Sequence, residues 1–82
     1  MIETFRKSLG KVVQYKRRQL GLTQQQLANR AGLHRTYISD VERGARNLSL
    51  ESIYQVSKGL STRASNLFAE AEDEAQHAAG GH

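Results

Sequence analysis

The sequence contains no cysteine, proline or tryptophan among its 82 residues. Without cysteine, the chain has no disulfide bonds, no thiolate metal ligands and no thiol chemistry. No apolar run approaches the roughly 18 residues of a membrane-spanning helix, and no apolar segment follows the first basic residues as it would in a secretory signal. These absences predict a soluble cytoplasmic protein that neither spans nor binds a membrane.

Motifs typical of catalytic and metal-binding sites are missing as well. The sequence has no glycine-rich phosphate loop and no His-Glu-x-x-His zinc motif, and its only histidines are His34, His77 and His82. Asp73 and His77 have the spacing of two ligands on one helical face, but two ligands near the end of a chain make a weak zinc site. A Ser-His-Asp triad assembled from distant positions would leave no signature in spacing. We expect no enzymatic activity, no cofactor and no bound metal.

Charge is divided unevenly along the chain. Residues 1–63 hold all twelve Lys and Arg and four of the eight acidic residues, so twelve minus four gives this part a net charge of +8. Residues 64–82 hold the other four acidic residues and carry −4. A basic body is typical of proteins that bind polyanions, because counterion release from phosphates supplies most non-specific affinity for nucleic acid. The alternative is an ordinary solvated surface, since many basic proteins bind no nucleic acid.

The hydrophobic pattern is helical rather than strand-like. Apolar residues recur at spacings of three and four between near-evenly spaced glycines, which predicts a bundle of five short helices with left-handed glycines at their ends. These glycines are Gly10, Gly21, Gly32, Gly44 and Gly59. The first helix is expected from Phe5 to Leu20, with Leu20 on its buried face.

Local signals indicate where the later helices begin. Thr23 is expected to cap the second helix, and Gln26, three residues on, completes a capping box. The third helix is expected from His34 to Arg43. Ser49 is expected to cap the fourth helix, because its hydroxyl can accept a hydrogen bond from the first turn.

The second and third helices, separated by a short turn that contains a glycine, have the arrangement of a helix-turn-helix. In this motif the second helix enters the DNA major groove with its amino-terminal end. With Ile38 and Val41 facing inward, that end of the third helix presents polar side chains. Arg35 has the fork geometry to bind O6 and N7 of a guanine, and Thr36 offers a hydroxyl to a base edge and a methyl group to thymine. These two residues are the first candidates for reading bases.

Two further groups are candidates for contacts with the DNA backbone. Gln24 and Gln25 begin the second helix, where the positive end of the helix dipole favours a phosphate. Arg43, Arg46 and Asn47 follow the third helix in a short polar segment suited to phosphate contacts. Contacts of this kind set register and affinity, whereas base contacts set sequence choice.

Three segments around the predicted helix-turn-helix carry a recognisable pattern. The pattern reads Gly-Leu-Thr-Gln-Gln-Gln-Leu-Ala at 21–28, Ala-Gly-Leu at 31–33 and Arg-Thr-Tyr-Ile-Ser-Asp-Val-Glu-Arg-Gly at 35–44. It resembles the helix-turn-helix of the Cro and phage-repressor family over about residues 9–68. Within that family, the Arg-Thr-Tyr-Ile-Ser run, the Arg-Asn-Leu segment at 46–48 and the short chain are most similar to the controller proteins of restriction-modification systems.

The resemblance implies an all-α, five-helix fold like that of lambda repressor, which binds a pseudo-palindromic operator on double-stranded DNA as a homodimer. It assigns base reading to Arg35 and Thr36, with His34 and Ser39 nearby. The residues it assigns to phosphate or backbone positioning are Gln24, Tyr37, Arg43, Arg46 and Asn47. For the tyrosine an alternative stays open, because its ring can pack against neighbouring helices.

Structural roles also follow from the resemblance. It implies an ion pair between Arg17 and Glu42 that locks the first and third helices together. It implies dimerisation largely through the fifth helix, where intrachain packing is the alternative, and the side chains concerned are Ala64, Leu67, Phe68 and Ala71. We expect one DNA-binding domain over residues 1–71 and a frayed or disordered acidic Ala/Gly tail over residues 72–82.

These expectations describe a transcriptional regulator that occupies a promoter and either excludes RNA polymerase or contacts it. Similarity to the controller proteins implies both effects, together with regulation of its own gene. The alternative is an antitoxin-like or adaptor helix-turn-helix whose polar face binds a protein. The cluster of Arg35, Arg43 and Arg46 favours DNA, because the core of a protein interface is usually depleted of charge.

Overall fold

A computed structural model describes residues 2–80, and over this range the chain is entirely helical apart from its turns. The five helices are α1 (Ile2–Gln19), α2 (Gln24–Ala31), α3 (Arg35–Glu42), α4 (Leu50–Gly59) and α5 (Ala64–Gly80). Helix α1 packs against α3 and α5, while α2 packs against α3 and α4. None of these helices is both long and apolar enough to cross a membrane. The predicted all-α, five-helix class is confirmed.

The predicted caps start α2 and α4. Thr23 Oγ1 accepts a hydrogen bond of 3.1 Å from the Gln26 backbone N–H, and Gln26 Oε1 accepts one of 2.8 Å from the Thr23 N–H. Ser49 Oγ accepts a bond of 3.0 Å from the Ser52 N–H. Helix α3 differs, because His34 occupies its N-cap position without a side-chain capping bond. The start of α3 therefore depends on packing and on the turn that precedes it.

The core is built from one apolar face of each helix. Its buried side chains are Leu9, Val12, Val13, Leu27, Ala28, Ala31, Ile38, Val41, Ile53, Val56, Leu60, Leu67 and Ala71. Ile38 and Val41 face inward as predicted, which leaves the polar face of α3 on the surface. The prediction for Leu20 is wrong: its side chain is 46% exposed, because α1 ends one residue earlier and the chain turns away at Gly21.

Glycines have two different roles in this fold. Gly21, Gly32 and Gly44 have φ near +70° and follow helix ends, as predicted. The same prediction is wrong for Gly10 and Gly59, which lie inside α1 and at the last residue of α4 with no positive φ. Both are buried against neighbouring helices, so they serve close packing rather than helix termination.

Helix α5 extends through Gly80, beyond the predicted end of the ordered domain at residue 71. The ammonium group of Lys16 lies 2.9 Å from Glu70 Oε2, and that of Lys11 lies 3.8 Å from Glu74 Oε2, so two ion pairs join α1 to this helix. The alanine and glutamate residues of the segment also favour helix intrinsically. The structure thus differs from the expected frayed tail over residues 72–80. Residues 81–82 lie outside the described range, and the domain boundary stays a prediction.

Candidate nucleic-acid interface

The α2–α3 unit has the form of a helix-turn-helix. Helix α2 ends at Ala31, Gly32 turns the chain at φ +72°, and the Leu33 N–H donates a 2.9 Å hydrogen bond to the Ala28 carbonyl. The two helices pack on each other through fully buried side chains that include Ala28 and Ile38. This packing fixes α3 with one face inward and its opposite face on the surface.

The first turn of α3 presents the side chains predicted to read bases. Arg35 and Thr36 are exposed, and so is His34 immediately before them. Ser39, one turn further along, is half-buried. A guanidinium, a hydroxyl and an imidazole therefore share one accessible surface, which matches the donor and acceptor chemistry of base edges.

Past this turn, Asp40 draws together the basic residues that follow α3. Its Oδ2 accepts a hydrogen bond of 2.9 Å from Arg46 Nη2, and its Oδ1 accepts one from Arg43 Nη2. The guanidinium carbon of Arg46 lies 4.5 Å from the centre of the Tyr37 ring, a cation–π contact. The hydrogen bond from Arg46, supported by that from Arg43, holds the pKa of the Asp40 carboxyl below its usual range. The carboxylate is therefore ionised at neutral pH.

Tyr37 and Asn47 are also attached to the body of the domain. The Tyr37 ring is half-buried and packs against the core, so the ring-packing alternative describes its side chain in this structure. Asn47 Oδ1 accepts a hydrogen bond from Arg6 Nη1, which joins the segment after α3 to the start of α1. Two residues of the segment after α3 are therefore attached to the domain: Arg46 lies on the packed Tyr37 ring, and Asn47 is hydrogen-bonded to Arg6.

The two glutamines at the start of α2 have different environments. Gln24 is half-buried, and its Nε2 donates a 3.1 Å hydrogen bond to Glu42 Oε1. Gln25 is exposed, and its Nε2 donates a 3.0 Å bond to Asn29 Oδ1. Gln25 is therefore the more available of the two side chains for a phosphate, because Gln24 already joins α2 to α3.

Arg17 and Glu42 form the ion pair that the sequence resemblance implied. Arg17 Nε lies 2.6 Å from Glu42 Oε2 and Nη2 lies 3.1 Å from Oε1, while Nη1 donates a 2.7 Å hydrogen bond to the Leu22 carbonyl. Both residues are 8% exposed. Hydrogen bonding to Glu42 raises the pKa of the Arg17 guanidinium above its usual value, against the opposing effect of burial. The pair fastens the end of α3 to α1.

The side chains predicted for the dimer interface separate into two groups. Leu67 and Ala71 have no exposed surface, so they pack in the core of their own chain instead, and Ala64 is half-buried. Phe68 is 43% exposed, and its ring meets the Phe5 ring edge-on at a centroid distance of 5.7 Å. Of the four, Phe68 has the most surface to offer a second subunit.

Sequence reasoning gave no role to three side chains that organise this region. Asp40 pairs with both arginines after α3. Its pair with Arg43 could have been predicted from the sequence, because opposite charges at i and i+3 are neighbours on a helix. Gln14 Nε2 donates a 3.4 Å hydrogen bond to Glu42. Arg30 Nε donates a 2.8 Å bond to the Gly59 carbonyl and so fastens α2 to the end of α4. The last two bonds join positions far apart in sequence, where no local pattern indicates them.

Asp73 and His77, considered above as zinc ligands, line a shallow groove between α1 and α5. Lys11 also lines this groove and pairs with Glu74 beside it. Among residues 2–80, no three His, Asp or Glu side chains are grouped to hold a metal ion. We assign no ligand to this groove.

Comparisons with known proteins identify relatives of the part of the chain that contains the helix-turn-helix. The chain matches the Helix-turn-helix family over residues 13–65. Control protein C.BamHI of Bacillus amyloliquefaciens is 46% identical over 57 residues, which cover 70% of this chain and 70% of that protein. Control protein C.SmaI of Serratia marcescens is 51% identical over 41 residues, 50% of this chain and 49% of that protein. The crystal structure of the restriction-modification controller protein C.AhdI from Aeromonas hydrophila is 36% identical, with a TM-score of 0.72 over 74% of this chain and 92% of that chain.

Proposed function

Because this chain belongs to the helix-turn-helix family and is a transcription regulator of the restriction-modification controller type, we propose that it binds an inverted-repeat operator as a homodimer. The single observation that carries this proposal is the exposed first turn of α3, where Arg35 and Thr36 are exposed while Ile38 and Val41, further along the same helix, are buried. The two half-sites are expected about one helical turn, 10–10.5 bp, apart.

Each side chain of the interface has a chemically distinct task in this proposal. Arg35 donates two parallel hydrogen bonds to a guanine, and Thr36 contacts a neighbouring base, with His34 and Ser39 beside them. The residues that contact phosphates and fix the register are Gln24, Gln25, Tyr37, Arg43, Arg46 and Asn47. Backbone contacts supply the salt-dependent part of the affinity, and the first turn of α3 supplies the sequence preference.

Arg35→Ala is expected to weaken binding to the operator by about 1–3 kcal/mol and to relax the preference at one base pair in each half-site. The operator is first defined by selecting bound sequences from random duplex at physiological salt. Dissociation constants are then measured on the selected duplex and on duplexes with each base pair exchanged. Arg18→Ala is the matched control, because it removes the same charge from an exposed position at the end of α1.

An equal loss of affinity on every duplex, with all base preferences retained, would remove Arg35 from the base-reading set. Selection with the wild-type protein tests the proposal as a whole. Enrichment of an inverted repeat supports it. Binding without sequence preference would contradict it and favour the alternative of a helix-turn-helix that binds a protein.

The proposal of a homodimer is supported by an apolar surface that the folded chain leaves exposed. Ile2 is 64%, Leu50 84% and Phe68 43% exposed, and these three side chains line one groove together with Phe5 and Leu48. A domain of this size is marginally stable alone, and an exposed apolar groove is typical of an interaction surface. A second copy of the chain is the proposed occupant, because a two-fold operator matches a two-fold dimer.

Leu50→Glu is expected to shift the protein from dimer to monomer. Its dissociation constant should rise at least about tenfold, because burying a leucine side chain contributes about 1.5–3 kcal/mol. The monomer fold should survive, since Leu50 is largely exposed and lies in the first turn of α4, where an acidic side chain is favoured. Sedimentation equilibrium measures the change. Leu20→Glu, at an exposed apolar residue outside the groove, should leave the mass unchanged, and equal masses for both variants would contradict this interface.

The bound dimer then acts on transcription through its position. At a promoter it excludes RNA polymerase from one site or contacts the enzyme from another, so both repression and activation follow from the placement of the operator. We further propose that the operator lies near the protein's own gene and that the protein acts in the cytoplasm.

A further inference from the structure

Asp40 is the accessible carboxylate on the candidate DNA-reading helix. Helix α3 contains two acidic residues, and the Glu42 side chain is 1% exposed, whereas that of Asp40 is 19% exposed. A carboxylate near the phosphates of DNA opposes binding by charge repulsion. Its presence beside Arg43 and Arg46 therefore needs a physical explanation.

The contacts of Asp40 restrict where the two arginines can point. Each arginine donates one Nη2 bond to the carboxylate, and Arg46 is also stacked on the Tyr37 ring. A guanidinium has five N–H donors, so each arginine keeps donors free while it is held by Asp40. Those free donors face a limited range of directions, because the guanidinium is planar and rigid.

We infer that Asp40 is a specificity-determining residue that restrains Arg43 and Arg46, so that they bind phosphates well only when α3 is seated in a matching groove. The inference rests on the proposed function. A phosphate at the register of the operator complex is reached without breaking the pairs with Asp40. On other DNA, where α3 has no base contacts to seat it, the phosphates lie elsewhere and the arginines must leave the carboxylate to reach them.

Asp40→Asn is the test, because asparagine keeps the shape of the side chain and removes its charge. Binding is measured on the operator selected with the wild-type protein and on a scrambled duplex of equal length and composition, over a range of salt concentrations. On scrambled duplex we expect affinity to rise about five- to tenfold at 0.1 M salt, with a salt slope steeper by roughly 0.9 for one added phosphate contact. On the operator we expect a smaller change, so the ratio of the two affinities falls.

Glu72→Gln is the matched control, since it changes the net charge equally at an exposed position of α5, which packs on α1 and α4. It should leave both the affinity ratio and the salt slopes unchanged. A parallel change on the two duplexes, an unchanged slope, or the same effect in the control would overturn the inference while leaving the proposed function intact. Failure of the wild-type protein to select any sequence would overturn both.

Discussion

Replacing Glu42 by alanine is expected to lower the free energy of unfolding by about 3–5 kcal/mol, because removal of one partner leaves the other charge buried and unpaired. The group left unpaired is the guanidinium of Arg17, a residue that is 8% exposed, and it donates two hydrogen bonds to the Glu42 carboxylate in the wild-type protein. Gln14 and Gln24 lose a shared acceptor at the same time. Since the free energy of unfolding of a small domain is only about 5–15 kcal/mol in total, this loss would remove a large share of it. Urea denaturation followed by circular dichroism measures the loss.

The control for this prediction replaces both charges. Arg17→Met combined with Glu42→Leu leaves no unpaired charge and fills a similar volume, so this double variant should recover most of the stability lost by Glu42→Ala. Glu51→Ala, at an exposed position in α4, should change stability by less than about 0.5 kcal/mol. If Glu42→Ala also lowers the free energy of unfolding by less than about 0.5 kcal/mol, the Arg17–Glu42 pair is solvated in solution and does not hold α3 against α1.

The effect on DNA binding separates this structural role from base reading. Loss of the Arg17–Glu42 pair releases the end of α3, so affinity should fall on every duplex in proportion to the unfolded population. Under the proposed function, loss of Arg35 is instead expected to change the preference at particular base pairs. The two variants therefore distinguish a residue that holds the helix from a residue that reads DNA through it.

Elements with a local cause were predictable from the sequence. Thr23 and Gln26 lie three residues apart, and a capping box needs only that spacing, so the start of α2 was predicted at the observed residue. Gly32 follows the last apolar position of α2, and a left-handed residue there ends the helix. The prediction that Ile38 and Val41 are buried and that Arg35 and Thr36 are exposed used only the hydrophobic pattern of α3, and the structure agrees with it.

Features that depend on tertiary contacts were not predictable in this way. Leu67 and Phe68 are apolar neighbours on α5, and the positions of α1 and α4 against this helix decide that one is buried in the chain and the other half-exposed. The position of Asp40 on the polar face of α3 was visible, but not that its carboxylate holds Arg46 above the Tyr37 ring. Each of these depends on where another helix or turn comes to lie, which no local spacing records.

Gly10 is the clearest example of a residue whose role depends on a tertiary contact. Its replacement is the second substitution expected to lower stability strongly. Gly10 was among the glycines expected at helix ends, although the predicted first helix ran through it, and in the structure it lies inside α1 with the backbone of α3 beside it. A Cβ atom at this position would stand 2.5 Å from the carbonyl oxygens of both Val41 and Glu42. Backbone atoms at such a distance cannot move aside as a flexible side chain does. The glycine is therefore required by the approach of the two helices.

Gly10→Ala is expected to lower the free energy of unfolding by about 1–3 kcal/mol or more, through overpacking of the α1–α3 contact. The sign of the change in the free energy of unfolding is informative, because in an unobstructed helix interior replacement of glycine by alanine stabilises the helix by about 0.5–1 kcal/mol. Gly59→Ala is the comparison variant: its Cβ would meet the Leu27 side chain at 3.0 Å and the Cβ and backbone N of Ala31 at 3.1 and 3.2 Å, so it should cost less than Gly10→Ala, whose Cβ would stand 2.5 Å from backbone oxygens. Thermal and urea unfolding of both variants measure the difference.

A gain in stability for Gly10→Ala would mean that the carbonyl oxygens of Val41 and Glu42 lie farther from position 10 than they do in this structure. The double variant Gly10→Ala, Glu42→Ala tests whether both changes act on the same contact between α1 and the end of α3. If the first substitution already separates the helices, the second removes an ion pair that is partly broken, and the combined loss should be smaller than the sum by about 0.5–3 kcal/mol. Additive losses would show that the two residues act through independent contacts between α1 and α3.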